Sequence, residues 1–262
     1  MNNITITNDF DSDEVVVDSD TIIVIELEEV ERDLTINVMP NNCLRVFDCG
    51  DRTHNNITYN IGDNANVVVN KLSKDSCDKV KYNIMGRDAI LDVHNSIINY
   101  GNNSYTVTYN MNGRDSILDV HNSIINYGKN TYTVTLNHKD EHSTSKIINH
   151  AINVNNEEFK FIVDGVIDRN AIDTSLRQDN KIVNLKEGKS FILPNLIVDN
   201  SEIEAEHAAY IGSFDEDKVF YLESRGITYK DAENLLIKAF LLNNMELEEK
   251  EKDIVVAKIE NI

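Results

Sequence analysis

Two adjacent stretches of this chain are near copies of each other. Gly86–Asn112 reads GRDAILDVHNSIINYGNNSYTVTYNMN, and Gly113–Lys139 reads GRDSILDVHNSIINYGKNTYTVTLNHK. The period is 27 residues, and 21 of the 27 positions are identical. A fixed period of roughly 20–50 residues marks a fold that stacks one unit on the next. Each copy holds two strand-like runs, such as Ala89–Val93 and Tyr105–Tyr109. Neither run can bury its apolar face alone. Stacking would pair each strand with its equivalent about 4.8 Å away. Two strands per coil, stacked in parallel, describe a flattened β-helix. A propeller blade needs roughly 40 or more residues, and the Leu/Asn signature of a leucine-rich repeat is missing. An antiparallel sandwich would gain little from near-identical units.

The rest of the first two-thirds fits the same architecture. Val15–Val17, Ile22–Leu27, Leu34–Val38, Ile57–Ile61 and Val67–Val69 are short β-branched runs separated by Asn, Asp and Gly, as turn chemistry requires. The last quarter changes character. Ser213-x-x-Glu216 is a capping box that opens a short helix through about Arg225, with Gly226 as a stop. Thr228 caps a second helix with Asp231 in its first turn, and Ala232, Leu235, Leu236, Ala239 and Phe240 form an apolar stripe at helical spacing. The charged Met245–Lys252 and apolar Ile254–Ala257 suit a further helix or a strand. The expected fold is mainly β. A right-handed parallel β-helix, flattened and with two strands per coil, spans residues 1–212, and a small C-terminal α-helical hairpin domain spans 213–262.

Charge narrows the partners. The 262 residues carry 25 Lys plus Arg against 45 Asp plus Glu, a net charge of −20 at pH 7. That disfavours nucleic acid, which needs a basic footprint, and adsorption to anionic lipid. No apolar run reaches the roughly 18–20 residues of a membrane span. The start, MNNITITNDFDSDE, does not read as a presequence. Cys43, Cys49 and Cys77 make an odd count without metal spacing, which reads as free thiols in a reducing, cytoplasmic compartment. Gly188-Lys189-Ser190 looks like the end of a phosphate-binding loop, but Val183 stands where the upstream Gly is required.

Two constellations could carry chemistry. The first is the repeated D-x-H-N: Asp92, His94 and Asn95, then Asp119, His121 and Asn122. Parallel stacking puts the two His one rung apart, near enough to share a metal, although like residues also stack as purely structural ladders. The second is Glu202-x-Glu204-x-Glu206-His207. On a strand the three Glu share one face, and His207 shares the other with Ile203, Ala205 and Ala209. His207 then points into a core or a subunit contact.

Glu204 through Phe240, EAEHAAYIGSFDEDKVFYLESRGITYKDAENLLIKAF, resembles the C-terminal signature of the SufB/SufD family of iron–sulfur cluster assembly proteins. The resemblance rests on Glu204, His207, Ala209 and Gly212, on Phe220-Tyr221-Leu222 and Ser224-Arg225-Gly226, and on Ala239-Phe240 closing the second helix. It extends weakly back to about Thr131 and includes Asp164-Gly165. It implies a scaffold and not an enzyme. It also implies a dimer, formed with itself or a SufB-like paralogue through the last coils, and a SufC-like ATPase docked on the C-terminal helices through Phe220, Tyr221, Arg225, Leu235, Leu236 and Phe240. His207, with Glu204 and Glu206 beside it, falls at the family's interface position. Iron or a transient iron–sulfur cluster is implied there, with His207 as the metal ligand. Ala208 stands where SufB-type chains carry Glu, and Arg177–Pro194 contains no Cys. Both departures favour a SufD-like chain, in a short form without the helical N-terminal domain of longer members. A carbohydrate-active β-helix enzyme, using the Asp92 and Asp119 rows, and a purely structural acidic repeat protein are the competing readings.

Overall fold

A computed structural model describes residues 1–213 and 216–242, together with Glu251 and Asp253. Seventeen strands alternate between two parallel sheets. One sheet holds β1 (Asn2–Thr7), β3 (Thr21–Glu26), β5 (Cys43–Asp48), β7 (Asn66–Lys74), β9 (Ile90–Asn99), β11 (Ile117–Asn126), β13 (Thr144–Asn153), β15 (Thr174–Asn184) and β17 (Ile203–Ser213), neighbours in that order. The other holds β2 (Glu14–Val17), β4 (Asp33–Val38), β6 (Asn56–Ile61), β8 (Lys79–Ile84), β10 (Ser104–Met111), β12 (Asn130–His138), β14 (Glu158–Ile167) and β16 (Lys189–Val198). Consecutive strands therefore lie in opposite sheets, and each pairs with the strand one coil away. This is the two-strand β-helix expected from the repeat. Ile90 pairs with Ile117 and Tyr105 with Tyr132, so the near copies stack in register.

Coil length drifts along the rod. Pairing partners lie 23 residues apart near the start (Asn56 and Lys79), 27 in the repeat (Ile90 and Ile117) and 31 later (Thr144 and Ser175). The corners absorb the change. Asn41, Asn64, Asp88, Asp115, His142 and Asp173 all adopt positive φ, between 51° and 63°. Asn and Asp tolerate that left-handed region better than other side-chain-bearing residues. Each of these residues donates its backbone N–H to a carbonyl on the next coil, as Asn64 does to Arg87 at 2.8 Å and Asp115 to Glu141 at 3.2 Å. Gly113 is required for closeness: a Cβ there would come within 2.0 Å of the Gly86 carbonyl oxygen.

Inward-facing residues fill the rod. Tyr59, Tyr82 and Tyr109 stack ring on ring at 4.7 and 5.2 Å. A polar column runs beside this apolar core. Asn95, Asn122, Asn149 and Asn180 pass side-chain amide bonds from coil to coil at 2.6–2.8 Å. At its foot the buried Lys71 ammonium lies 2.5 Å from Asp48 and 2.8 Å from Asp78. Asp78 also accepts from the Thr53 hydroxyl and the Asn55 N–H, both at 2.8 Å. The two carboxylates outweigh the desolvation of Lys71 and hold its pKa above the usual lysine value.

Among the described residues two helices follow, α1 (Glu216–Glu223) and α2 (Tyr229–Leu242). Gly226 turns between them at φ 87°. Thr228 caps α2: its hydroxyl accepts from the Asp231 N–H at 3.2 Å and donates to the Asp231 carboxylate at 2.6 Å. The capping box proposed at Ser213 and Glu216 depends on residues 214–216, outside the described side chains, and Ser213 itself ends β17. Of the tail, Met245–Lys252 and Ile254–Ala257 lie outside the described residues, except Glu251.

The stripe expected on α2 is divided: Phe240 meets the rod, while Leu235, Leu236 and Ala239 face α1. Ala232, Ile237 and Leu241 are the buried positions, and Ile237 and Leu241 pack on Phe47, Leu72, Ile98, Ile125 and Ile152 from the outer face of the nine-stranded sheet. Ser96 donates its buried hydroxyl to the Leu241 carbonyl at 2.8 Å, and the Arg45 guanidinium pairs with Glu251 at 2.8 Å. The sheet's outer face is apolar along this column, so α2 needs a second apolar side in addition to the one facing α1.

Candidate functional site

The two ends of the rod differ. At the N-terminal end, Arg32 donates to the carbonyls of Thr7, Phe10 and Ser12 and lies over the Phe10 ring at 5.5 Å. These bonds hold the β1–β2 loop, whose Phe10 packs against the core. At the C-terminal end, β16 and β17 are the edge strands, as β1 and β2 are at the other, and among the described residues no coil lies above them. Ile192, Leu196, Ile203 and Ala205 are only partly covered where they meet the core. Phe191, Leu193, Ile197, Tyr210 and Ile211 are 43–59% exposed.

His207 sits on this open edge, in register with Gln178 of β15. It has the inward parity of Ile203 and Ala205, as the alternation implies, and is exposed, with no strand among the described residues stacked on it. Glu204 and Glu206 alternate to the outer face, where Glu206 pairs with Arg177 at 3.1 Å. The structure therefore does not gather the three into one centre. Among the described residues no group of three or more His, Cys, Asp and Glu converges to hold a metal.

The D-x-H-N motif is split across its sheet. Asn95 and Asn122 turn inward into the amide column, while His94 and His121 stack outside at 5.5 Å between ring centroids. His121 lies 3.1 Å from the Asp119 carboxylate. This face lies beside α2: the neighbouring His150 ring lies 6.5 Å from Phe240, and burial pushes the His150 pKa down. The three thiols are separate. Cys43 is exposed, Cys77 half-buried and Cys49 buried. Burial, with the Asp20 charge, raises the Cys43 pKa, which disfavours its nucleophilic thiolate.

Between α1 and α2 runs an apolar groove of about 380 Å³, lined by Asp217, Lys218, Tyr221, Leu222, Leu235, Leu236 and Ala239. The Arg225 guanidinium covers the Tyr221 ring at 4.9 Å, and Phe220 is 71% exposed beside it. Tyr221, Leu235 and Leu236 thus line one groove with Arg225 over the Tyr221 ring, Phe220 lines a separate pocket with Asn184, Leu185 and Tyr229, and Phe240 is turned toward the rod. Gln178, His138 and the Lys71 cluster carried no sequence signal; only the register of the coils brings them into view.

Comparison with known proteins agrees with this geometry. The SufBD core domain of the SUF iron–sulfur cluster assembly system matches residues 25–240. SufD of Bacillus subtilis is 33% identical over 95 residues, covering 35% of this chain and 22% of that protein. SufD of Escherichia coli is 38% identical over 47 residues, covering 18% of this chain and 11% of that protein. SufD of Plasmodium berghei is 38% identical over 84 residues, covering 31% of this chain and 6% of that protein. These matches span less than a quarter of each relative's length. A β-helix with an open end and an appended helical hairpin, matched by the core-domain family over most of its length, belongs to the SufBD family of iron–sulfur cluster assembly proteins.

Proposed function

We propose that this chain is a SufD-like scaffold with no catalysis of its own. It dimerises through the open end of its β-helix, with a second copy or a SufB-like paralogue. It docks a SufC-type ATPase on its helical hairpin. Iron and sulfide are cargo at the resulting interface, and His207 is this chain's contribution to holding them. The observation that carries the reading is the C-terminal end of the rod, where the edge strands expose apolar side chains and an imidazole of inward parity. Edge strands with unpaired backbone groups and apolar flanks are templates for pairing with another chain. The hairpin groove supports the second contact, since Leu235 and Tyr221 are about half exposed. No helix among the described residues is long and apolar enough to cross a membrane, and the acidic composition suits a cytoplasmic setting.

The docking claim is tested by binding a SufC-type ATPase to the full chain and to Leu235→Asp with Leu236→Asp. The double variant should bind at least about tenfold more weakly, since a charge at a packed interface core leaves an unpaired group. Equal binding by both chains would refute docking at the hairpin.

A further inference from the structure

The last two rungs of the rod break its own pattern. One inward column of the nine-stranded sheet runs from Ile4 and Ile23 through Val46 and Val69 to Val93, Val120 and Ile147, using only Ile and Val. The next two members are Gln178 and His207. Gln178 is 1% exposed, and neither atom of its amide has a hydrogen-bond partner. A buried amide without partners is destabilising. The opposite sheet makes room for it. A Cβ on Gly165 would lie 2.8 Å from Gln178 Nε2 and 2.9 Å from Leu176 Cδ1. Tyr109 and Leu136 occupy the same column as Gly165 in the coils below. The fold thus gives up a large side chain on one wall and an aliphatic one on the other to keep a primary amide one rung below the imidazole.

We propose that Gln178 is the positioning residue of the His207 site. A histidine that binds a metal through one ring nitrogen usually donates the other N–H to an oxygen acceptor, which fixes the ring's tautomer and orientation. The Gln178 Oε1 is the acceptor one rung away, and its Nε2 is left to donate to an anionic sulfur or oxygen group on the bound ion. Adjacent rungs are about 4.8 Å apart, so a rotamer change brings the amide beneath the ring. This proposal rests on the reading of the open end as a ligand-holding interface.

Zinc(II) affinity, measured on the full chain by chelator competition, tests it together with Tm and solution mass. Wild type, His207→Ala, Gln178→Leu and Gln178→Glu are compared. Gln178→Leu should bind zinc about tenfold more weakly than wild type while its Tm is unchanged or higher, because a partnerless amide has been removed. Gln178→Glu keeps the acceptor and should restore affinity to wild type or above. A purely packing role would move Tm and leave affinity alone. If zinc binding depends on His207 but Gln178→Leu matches wild type, or Gln178→Glu is as weak as Gln178→Leu, the role of Gln178 is overturned and the His207 reading stands. If wild type retains no more zinc than His207→Ala, both fall together.

Discussion

Single residues inside the rod carry electrostatics that their neighbours in sequence conceal. Lys71 is held by Asp48 and Asp78, which lie 23 and 7 residues away. All three are buried, so removing the cation leaves two carboxylates without their counter-ion. Lys71→Met should cost about 3–5 kcal/mol in urea unfolding; a loss below about 1 kcal/mol would mean that water reaches the cluster. His138 has the opposite problem. It is buried between the Ser143 and Ser145 hydroxyls, both 2.7 Å from its ring nitrogens, and burial lowers its pKa to about 4. Above pH ~6.5 neither the folded nor the unfolded state protonates this ring. Below that, the unfolded chain binds a proton and the folded one does not, so stability falls as pH drops toward 4. The loss is on the order of 3 kcal/mol. His138→Gln should flatten the stability profile between pH 6.5 and 4, and an unchanged slope would assign the acid sensitivity elsewhere. None of these roles was legible in the sequence, because each depends on which coil lies beneath which.

At the scale of elements, the repeat was legible because near identity forces like residues to stack. Most strands of the coils before it were legible as short β-branched runs, but their 23-residue period was not, since these coils share little beyond corner residues and an Asn row. Asn37, Asn60 and Asn83 bond in succession at 2.7–2.8 Å, yet no longer motif accompanies them. The strands β1 and β5 escaped notice because polar and charged residues such as Asn3 and Arg45 interrupt them. The corners make a direct prediction. Asn64→Val should cost about 1–2 kcal/mol, because a β-branched residue resists φ near +52°. Asn64→Gly should be nearly neutral; similar costs for both would place the strain outside φ. The helices were located well, but the side of α2 that faces the rod was left open. Helical spacing identifies apolar positions without saying which neighbour each one meets. Leu241→Ala should cost about 2–5 kcal/mol of local stability. Hydrogen exchange should show α2 amides losing protection while β9 and β11 keep theirs. Uniform loss across the chain would mean that the hairpin and rod unfold as one unit.

For the whole molecule, the parts combine into a rod with edge strands at each end and a helical hairpin strapped along one outer face. His207 was legible as a candidate through the family signature, and its inward parity through strand alternation. The partner of His207 in the column below it, Gln178, was not legible, because that pairing depends on coil register. Native mass spectrometry of the full chain, purified anaerobically after co-expression with a SufC-type ATPase and followed by iron and sulfide analysis, tests this account most directly. The account predicts two scaffold chains in one complex, an ATPase on each hairpin, and metal that is lost with His207→Ala. A lone scaffold chain without ATPase, with iron and sulfide at background, would contradict it.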